Sequence, residues 1–157
     1  MIKGIKIYHN KNFKDHRGYI WTSWEKSKFK IKFKHDKFAS FKKNVLRGIH
    51  WDNKTWKLMS CVFGKLLLTV VNCDKKSKNY LDHSQIILSY SSNTQVLIPP
   101  NYGNATLCLS KEAVLHYKLS YYGNYNDANK QNSMKWNDER LKIKWPKKNF
   151  ILSSRDK

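Results

Sequence analysis

KLLLTVVN, residues 65–72, is nearly continuous in apolar character. A strand with one face in water would alternate apolar and polar residues, whereas a strand buried on both faces reads as an unbroken apolar run. The stretch therefore predicts a strand in the interior of a β-barrel.

Similar short segments, rich in aromatic and branched aliphatic residues, recur on both sides of this strand with turn residues between them. Their spacing of roughly one strand per ten residues favours a sandwich or jelly-roll barrel over alternating βα units. Pro99 and Pro100 mark a turn, because two prolines are not tolerated in a central strand. We predict one short helix near 24–29 and strands at 3–8, 18–24, 29–34, 45–51, 57–62, 65–72, 84–89, 94–98, 105–109 and 113–119.

The chain has 157 residues, the length of one domain, and shows no repeat or linker. Apolar residues make up 40% of it and aromatic residues 14%, enough to bury a core without metal or disulfide. We expect residues 1–157 to form a single all-β domain. Residues 123–133 are polar and predict a loop, and the aromatic tail after them is expected to pack back on the barrel.

The formal net charge is +20, from 31 Lys and Arg against 11 Asp and Glu. Such a charge favours a polyanionic partner, and a basic nucleic-acid-binding β-barrel is one interpretation of it. However, only four of the basic residues are Arg, which best recognises phosphates and guanine bases, and the Lys residues are spread along the chain. We therefore rank nucleic-acid binding last and expect no nucleic-acid partner.

Cys61, Cys73 and Cys108 show no CxxC or metal-binding spacing, so neither a disulfide framework nor a zinc site is predicted. Residues 1–13 lack the apolar centre of a signal peptide, and no run approaches the roughly 18 apolar residues of a membrane span. We expect a cytoplasmic protein with no membrane partner.

No phosphate-binding glycine loop, P-loop lysine or Gly-x-Ser-x-Gly elbow occurs, so nucleotide hydrolysis and serine hydrolysis are not predicted. The stretch whose side chains could take part in a reaction is NVLRGIHW, residues 44–51. Strict alternation along a strand would place His50 on the face of Gly48 and away from Arg47. Ile49 would share the face of Arg47, and His50 could point into the barrel.

Seven short motifs follow one another along the chain. They are DHRGY at 15–19, NVLRGIH at 44–50, KLMSC at 57–61, IPP at 98–100 with LS at 109–110, YK at 117–118, WND at 136–138 with IKWP at 143–146, and LSSRD at 152–156. In this order and spacing they resemble the dTDP-4-dehydrorhamnose 3,5-epimerase family. The family consists of cupin-fold enzymes of deoxysugar-nucleotide biosynthesis.

The resemblance implies a cupin-type, or jelly-roll, β-barrel with short peripheral helices, which forms a homodimer and uses no metal or cofactor. It implies an isomerase that inverts C3, C5 or both in a nucleotide-diphosphate-linked 4-keto-6-deoxy sugar, in the synthesis of deoxysugars for surface polysaccharides. The ketone acidifies the protons on its neighbouring carbons. The reaction therefore needs a base, an enolate stabiliser and an acid on the opposite face.

Four residues are implied as catalytic by their positions in these motifs. His50 would be the base, and Asp156 would orient its imidazole. Tyr117 would return a proton from the opposite face of the sugar. Lys57 would lie near the enolate oxygen.

Five further residues are implied as substrate-binding. Arg17 and Arg47 occupy the positions of the family's diphosphate-binding arginines, and the guanidinium fork suits that group better than an ammonium does. His35 falls in the nucleotide-sugar pocket, at a position where the family has a glutamine. The other two implied substrate-binding residues are Asn104 and Tyr122.

Some positions depart from the family pattern. Asn104 stands where the family has a histidine, Leu68 where it has an aspartate, and Thr22 where it has a glutamate. An amide cannot act as an acid or a base, so inversion at a single carbon, or another sugar such as a heptose, fits as well. A second class of function also stays open, a catalytically weakened cupin that binds a sugar nucleotide without turning it over.

Overall fold

The computed structural model describes residues 2–123 and 131–157. Within these ranges the chain forms two five-stranded sheets and a separate two-stranded hairpin. Three-residue 3-10 helices lie at Tyr90–Ser92, Glu139–Leu141 and Ser154–Asp156. The strands are Lys6–His9 (β1), Asn12–Asp15 (β2), Gly18–Trp21 (β3), His35–Lys42 (β4), Leu46–Trp51 (β5), Lys57–Phe63 (β6), Lys65–Asn72 (β7), His83–Ser89 (β8), Thr94–Ile98 (β9), Tyr102–Cys108 (β10), Glu112–Leu119 (β11) and Asn132–Ser133 (β12).

The first sheet has the order β1-β9-β6-β11-β4 and the second the order β12-β5-β10-β7-β8. The strand pairs within them are antiparallel. One apolar core joins the two sheets, with Met59 and Leu115 from the first packed with Leu68 and Val70 from the second. Both the all-β class and the jelly-roll architecture are thus confirmed.

The strand predicted at 65–72 is present with the same bounds. It lies between β10 and β8, and every residue after Lys65 is buried, as its unbroken apolar run indicates. The turn predicted at Pro99 and Pro100 separates β9 from β10, where Asn101 has a left-handed backbone with φ of 65°.

The strand predicted at 29–34 is wrong. Phe29, Ile31 and Phe33 do alternate with exposed lysines, but they pack on the outer face of the first sheet, and the segment pairs with no strand of the described chain. Alternation of apolar and polar residues indicates that one face of an extended segment is buried. It does not indicate that the segment is hydrogen-bonded to a neighbouring strand. The helix predicted at 24–29 is also wrong, since only a single turn closes there, from the Lys28 amide to the Glu25 carbonyl.

Three strands, β2, β4 and β12, were not predicted, and β12 lies in the segment predicted as a loop. Along β4 the inward positions are His35, Lys37, Ala39 and Phe41, which mix polar and apolar residues, while the outward Phe38 is exposed. Hydrophobic periodicity therefore fails to mark it.

The tail packs back on the barrel, as expected. Trp136, Trp145 and Phe150 meet edge to face and cover Leu46 and Ile49 on the outer side of the second sheet. Most of the loop predicted at 123–133 lies outside the described residues. None of the helices within residues 2–123 and 131–157 is long and apolar enough to cross a membrane.

Candidate active site

Strand β5 contains a bulge that decides which of its side chains share a face. Arg47 and His50 are three residues apart, yet their partners on β10, Thr106 and Asn104, are only two apart. The extra residue breaks the alternation, so Arg47 and His50 line the same cavity. The prediction that they lie on opposite faces is wrong, because it assumed a regular ladder.

Gly48 allows this bulge. Its φ is +118°, and a Cβ atom there would lie 2.3 Å from the carbonyl oxygen of Asn104 and 2.7 Å from Cα of Ala105. Both the conformation and the close approach require glycine. An isolated glycine inside a strand is itself a signal for a bulge, so the sequence contained the information.

A cavity of about 130 Å³ lies between the two sheets and collects most of the predicted site residues. Strands β4, β6 and β11 form one wall, and strands β5 and β10 form the other. The lining residues are Ala39, Phe41, Arg47, His50, Lys57, Met59, Asn104, Thr106, Leu115, Tyr117, Leu119 and Gln131.

His50 and Asp156 meet at the edge of this cavity. Nε2 of His50 lies 2.6 Å from Oδ1 of Asp156, whose side chain is only 3% exposed. The hydroxyl of Ser153 donates to the other carboxylate oxygen at 2.8 Å. The chain around Ile151 runs beside β5, pairing with Val45, and this brings the final 3-10 helix to the imidazole.

The pKa of His50 is lowered from its ordinary value, chiefly because burial penalises the charged ring. Asp156 opposes this shift, while the nearby cations of Arg155 and Lys57 reinforce it. A neutral imidazole is the form that can accept a proton. The environment of His50 therefore favours a base at neutral pH.

Lys57 crosses the cavity from the first sheet to the second. Its ammonium donates to Oδ1 of Asn104 at 2.6 Å and to the backbone carbonyl of His50 at 3.2 Å. Burial lowers the pKa of Lys57 to about 8, against the opposing effect of Asp52. This ammonium can donate to a ligand oxygen at neutral pH.

Tyr117 and Arg47 lie on the two walls of the cavity. Tyr117 belongs to β11 in the first sheet, across from the His50 strand in the second. The Arg47 guanidinium lies 4.5 Å from the centre of the Phe41 ring and donates to the backbone carbonyl of Ser40 at 3.1 Å. The ring contact and the hydrogen bond together hold the guanidinium beside the cavity.

Four predicted site residues do not line this cavity, and one of them, Asp156, reaches it only through His50. Arg17 lies at the tip of the β2–β3 hairpin, 78% exposed and paired with Asp15. His35 begins β4, with Nε2 lying 3.1 Å from the carbonyl of Gly123. Tyr122 is 78% exposed beneath the ammonium of Lys34.

Seven lining residues were not predicted: Ala39, Phe41, Met59, Thr106, Leu115, Leu119 and Gln131. Alternation could have found four of them, since Met59, Thr106, Leu115 and Leu119 each lie two positions from a predicted site residue on the same strand. Phe41 was not predicted because its strand, β4, was not predicted. No sequence signal indicated Gln131, which lies beside Arg155 through a hydrogen bond from the guanidinium to its carbonyl oxygen.

The model of the dTDP-4-dehydrorhamnose 3,5-epimerase family matches residues 1–157. The chain belongs to this family. Membership makes it a nucleotide-sugar epimerase, an isomerase, as the ordered motifs indicated. The dTDP-4-dehydrorhamnose 3,5-epimerase of Salmonella typhimurium is 31% identical over 154 residues, which cover 92% of this chain and 82% of that protein.

Solved structures of the family superpose closely on this epimerase. The 3,5-epimerase of Legionella pneumophila, in complex with dTDP-4-keto-L-rhamnose, has a TM-score of 0.90 at 27% identity, over 99% of this chain and 86% of that one. A 3'-monoepimerase from Streptomyces bikiniensis, in complex with dTDP-quinovose, has a TM-score of 0.90 at 25% identity, over 99% of this chain and 82% of that one. The family therefore includes enzymes described as acting at two carbons and enzymes described as acting at one.

Proposed function

We propose that this epimerase inverts one or both carbons beside the ketone of a dTDP-linked 4-keto-6-deoxy sugar, with residues 1–157 acting as a single domain. The observation that carries the proposal is the contact of His50 with buried Asp156, in a cavity that also presents Lys57 and Tyr117. These are the base, its orienting carboxylate, an enolate stabiliser and an acid.

Deprotonation is the first step. With Nε2 of His50 turned to Asp156, Nδ1 is the ring nitrogen that removes the proton from C3 or C5. The electron pair of the broken C–H bond forms a C=C bond to C4, and the negative charge moves to the ketone oxygen. The Lys57 ammonium donates a hydrogen bond to that oxygen.

Reprotonation is the second step. The phenol of Tyr117 gives its proton to the same carbon from the wall opposite His50, and the enolate returns to the ketone. Because the proton leaves on one face and enters on the other, the carbon is inverted. Transfer of the proton from His50 to water, and from water to the phenolate, restores both groups.

Recognition of the nucleotide involves residues beyond the cavity. Its volume of about 130 Å³ is small beside the roughly 300–1,000 Å³ of ordinary ligand sites, so it suits the sugar end of the substrate. Arg47 is positioned to bind the diphosphate. Arg17, His35 and Tyr122 belong to the part of the site that holds the rest of the nucleotide.

The homodimer would bring Arg17 to that site. Phe13 and Ile20 lie opposite each other on the β2–β3 hairpin and are 68% and 75% exposed. A two-stranded hairpin is marginally stable alone, and an exposed apolar pair favours a covering partner. A second copy of the chain would bury this pair and receive Arg17 at the edge of its own cavity.

A cytoplasmic location is part of the same proposal. Cys61, Cys73 and Cys108 are all buried free thiols. Burial raises the pKa of Cys61 and of Cys73 to about 11, so both remain unreactive thiols. Such cysteines suit a reducing compartment.

Deuterium exchange tests the activity directly. The protein is incubated in D₂O with dTDP-4-keto-6-deoxyglucose, and the mass of the sugar is followed. Gain of one deuterium indicates action at one carbon, gain of two indicates action at both, and His50→Asn abolishes the gain. Binding of the nucleotide sugar without any exchange would contradict the proposal and favour the catalytically weakened cupin.

A further inference from the structure

The Lys57 ammonium is held in the interior by two neutral oxygens. Lys57 is 7% exposed and begins β6 in the first sheet, whereas both its acceptors, Oδ1 of Asn104 and the carbonyl of His50, belong to the second sheet. No carboxylate of residues 2–123 and 131–157 lies within ion-pair distance of it. An ammonium has three donors, so one N–H bond remains for the cavity.

We propose that Asn104 is a positioning residue: its amide oxygen and the His50 carbonyl together fix the Lys57 ammonium so that its third N–H bond meets the substrate oxygen that becomes negative. This inference rests on the proposed epimerase function and assigns a role to a residue that cannot itself act as an acid or a base. Without Asn104 the flexible lysine stem would keep only one anchor at its charged end.

A neutral amide suits this position because several charges already face Lys57. Asp52 favours the ammonium, while Arg155 and burial disfavour it. A protonated imidazole at position 104 would add a second cation within hydrogen-bond distance. The amide oxygen of Asn104 accepts at every pH and adds no charge.

The surroundings of Asn104 match an uncharged residue. Asn104 pairs with Val70 on β7, and the neighbouring inward position, Leu68, is fully buried in the apolar core. A charged imidazole there would lack a carboxylate partner, which is costly in such a setting. An amide and a leucine at these two positions are therefore mutually consistent.

The test compares Asn104→Leu with Asn104→Asp. Leu removes the acceptor at similar volume, so the pKa of Lys57 falls by about one unit and the alkaline limb of the kcat profile moves with it. At pH 8 the protonated fraction of Lys57 falls from about one half to about one tenth, so kcat for deuterium exchange falls about fivefold while KM changes little. Asp retains an acceptor oxygen, so the limb moves to higher pH and exchange at pH 8 is preserved.

Two measurements make the test decisive. The pKa of Lys57 is read from the ¹³Cε resonance of labelled lysine, assigned by its loss in Lys57→Met, and this readout needs no turnover. Asn72→Leu is the matched control: Asn72 is also buried and bonded through its amide, but to Ser77 and outside the cavity. We expect Asn72→Leu to lower the Tm and to leave the pKa of Lys57 unchanged.

If Asn104→Leu lowers only the Tm and moves neither the resonance nor the alkaline limb, the positioning role is overturned. Failure of the unmodified protein to exchange deuterium would instead overturn the proposed function, with the ¹³C titration still reporting on the contact between Asn104 and Lys57.

Discussion

Nε2 of His50 and Oδ1 of Asp156 lie 2.6 Å apart, and neither atom has a separate hydrogen-bond partner among the described residues. The carboxylate is committed to the imidazole on this side and to Ser153 on the other. It thereby determines which ring nitrogen faces the cavity. The final 3-10 helix is part of the site through this one contact.

Replacing Asp156 with Asn tests that contact. The amide has nearly the shape of the carboxylate but does not stabilise the imidazolium and can favour the wrong tautomer, so we expect the rate of deuterium exchange to fall by about 10²–10⁴-fold. Ser153→Ala is the control, since it removes only the hydrogen bond behind the carboxylate and should cost less than about tenfold. An Asp156→Asn variant with unchanged exchange would show that the carboxylate does not orient the base.

The pH profile of kcat/KM should be bell-shaped. His50 acts as a neutral base, and burial lowers its pKa from 6.5, so activity is lost as pH falls through a value below 6.5. Lys57 acts as an ammonium with a pKa of about 8, so activity is lost as pH rises through about 8. Initial rates of exchange between pH 4.5 and pH 10 check both limbs, at roughly half-unit steps. Full activity up to pH 10 would mean that burial does not lower the pKa of Lys57 to about 8.

Tyr117→Phe should separate exchange from inversion. His50 can still remove the proton and return a deuteron to the same face, so deuterium enters the sugar. Inversion, which needs a donor on the opposite wall, should fall by about 10²-fold or more. Mass spectrometry measures the first and proton NMR of the product measures the second. Equal loss of both would indicate that Tyr117 supports binding rather than reprotonation.

Mixing two variants tests whether Arg17 acts across a dimer. Arg17→Ala should raise KM, and His50→Asn should be inactive, so neither alone exchanges deuterium at low substrate concentration. In co-refolded mixtures the mixed dimers carry one intact site, and about a quarter of the wild-type sites should return. No recovery, with dimers present by light scattering, would show that Arg17 does not act in the partner's site.

Gly48→Ala tests the bulge. A Cβ atom at this φ would lie 2.3 Å from a backbone oxygen, so we expect the free energy of unfolding to fall by about 2–4 kcal/mol. Gly18→Ala is the matched control, because Gly18 also has positive φ, but a Cβ there meets nothing within 4 Å. It should cost only about 1 kcal/mol, from backbone strain alone. Urea unfolding measures both, and equal costs would mean that the close approach in β5 is unimportant.

The buried strands could be predicted from the sequence, but β4, one of the five strands that border the cavity, could not. KLLLTVVN at 65–72 can be recognised as a buried strand because both of its faces are apolar. β4 lacks this signal, since its inward positions include His35 and Lys37 and its outward positions include the exposed Phe38. The lysine-rich segment at 29–34 shows the converse, with perfect alternation and no ladder.

By itself the sequence determined the all-β class, the family and the identity of the cavity groups His50, Lys57, Asn104 and Tyr117, because these follow from local apolar runs and from motifs in order. Only the tertiary structure decided how they meet. The bulge at Gly48 turns Arg47 to the face of His50, and the packed tail brings in Asp156. Both depend on contacts between segments distant in the chain, which the sequence signals only indirectly, through a glycine inside a strand and a motif at residues 152–156.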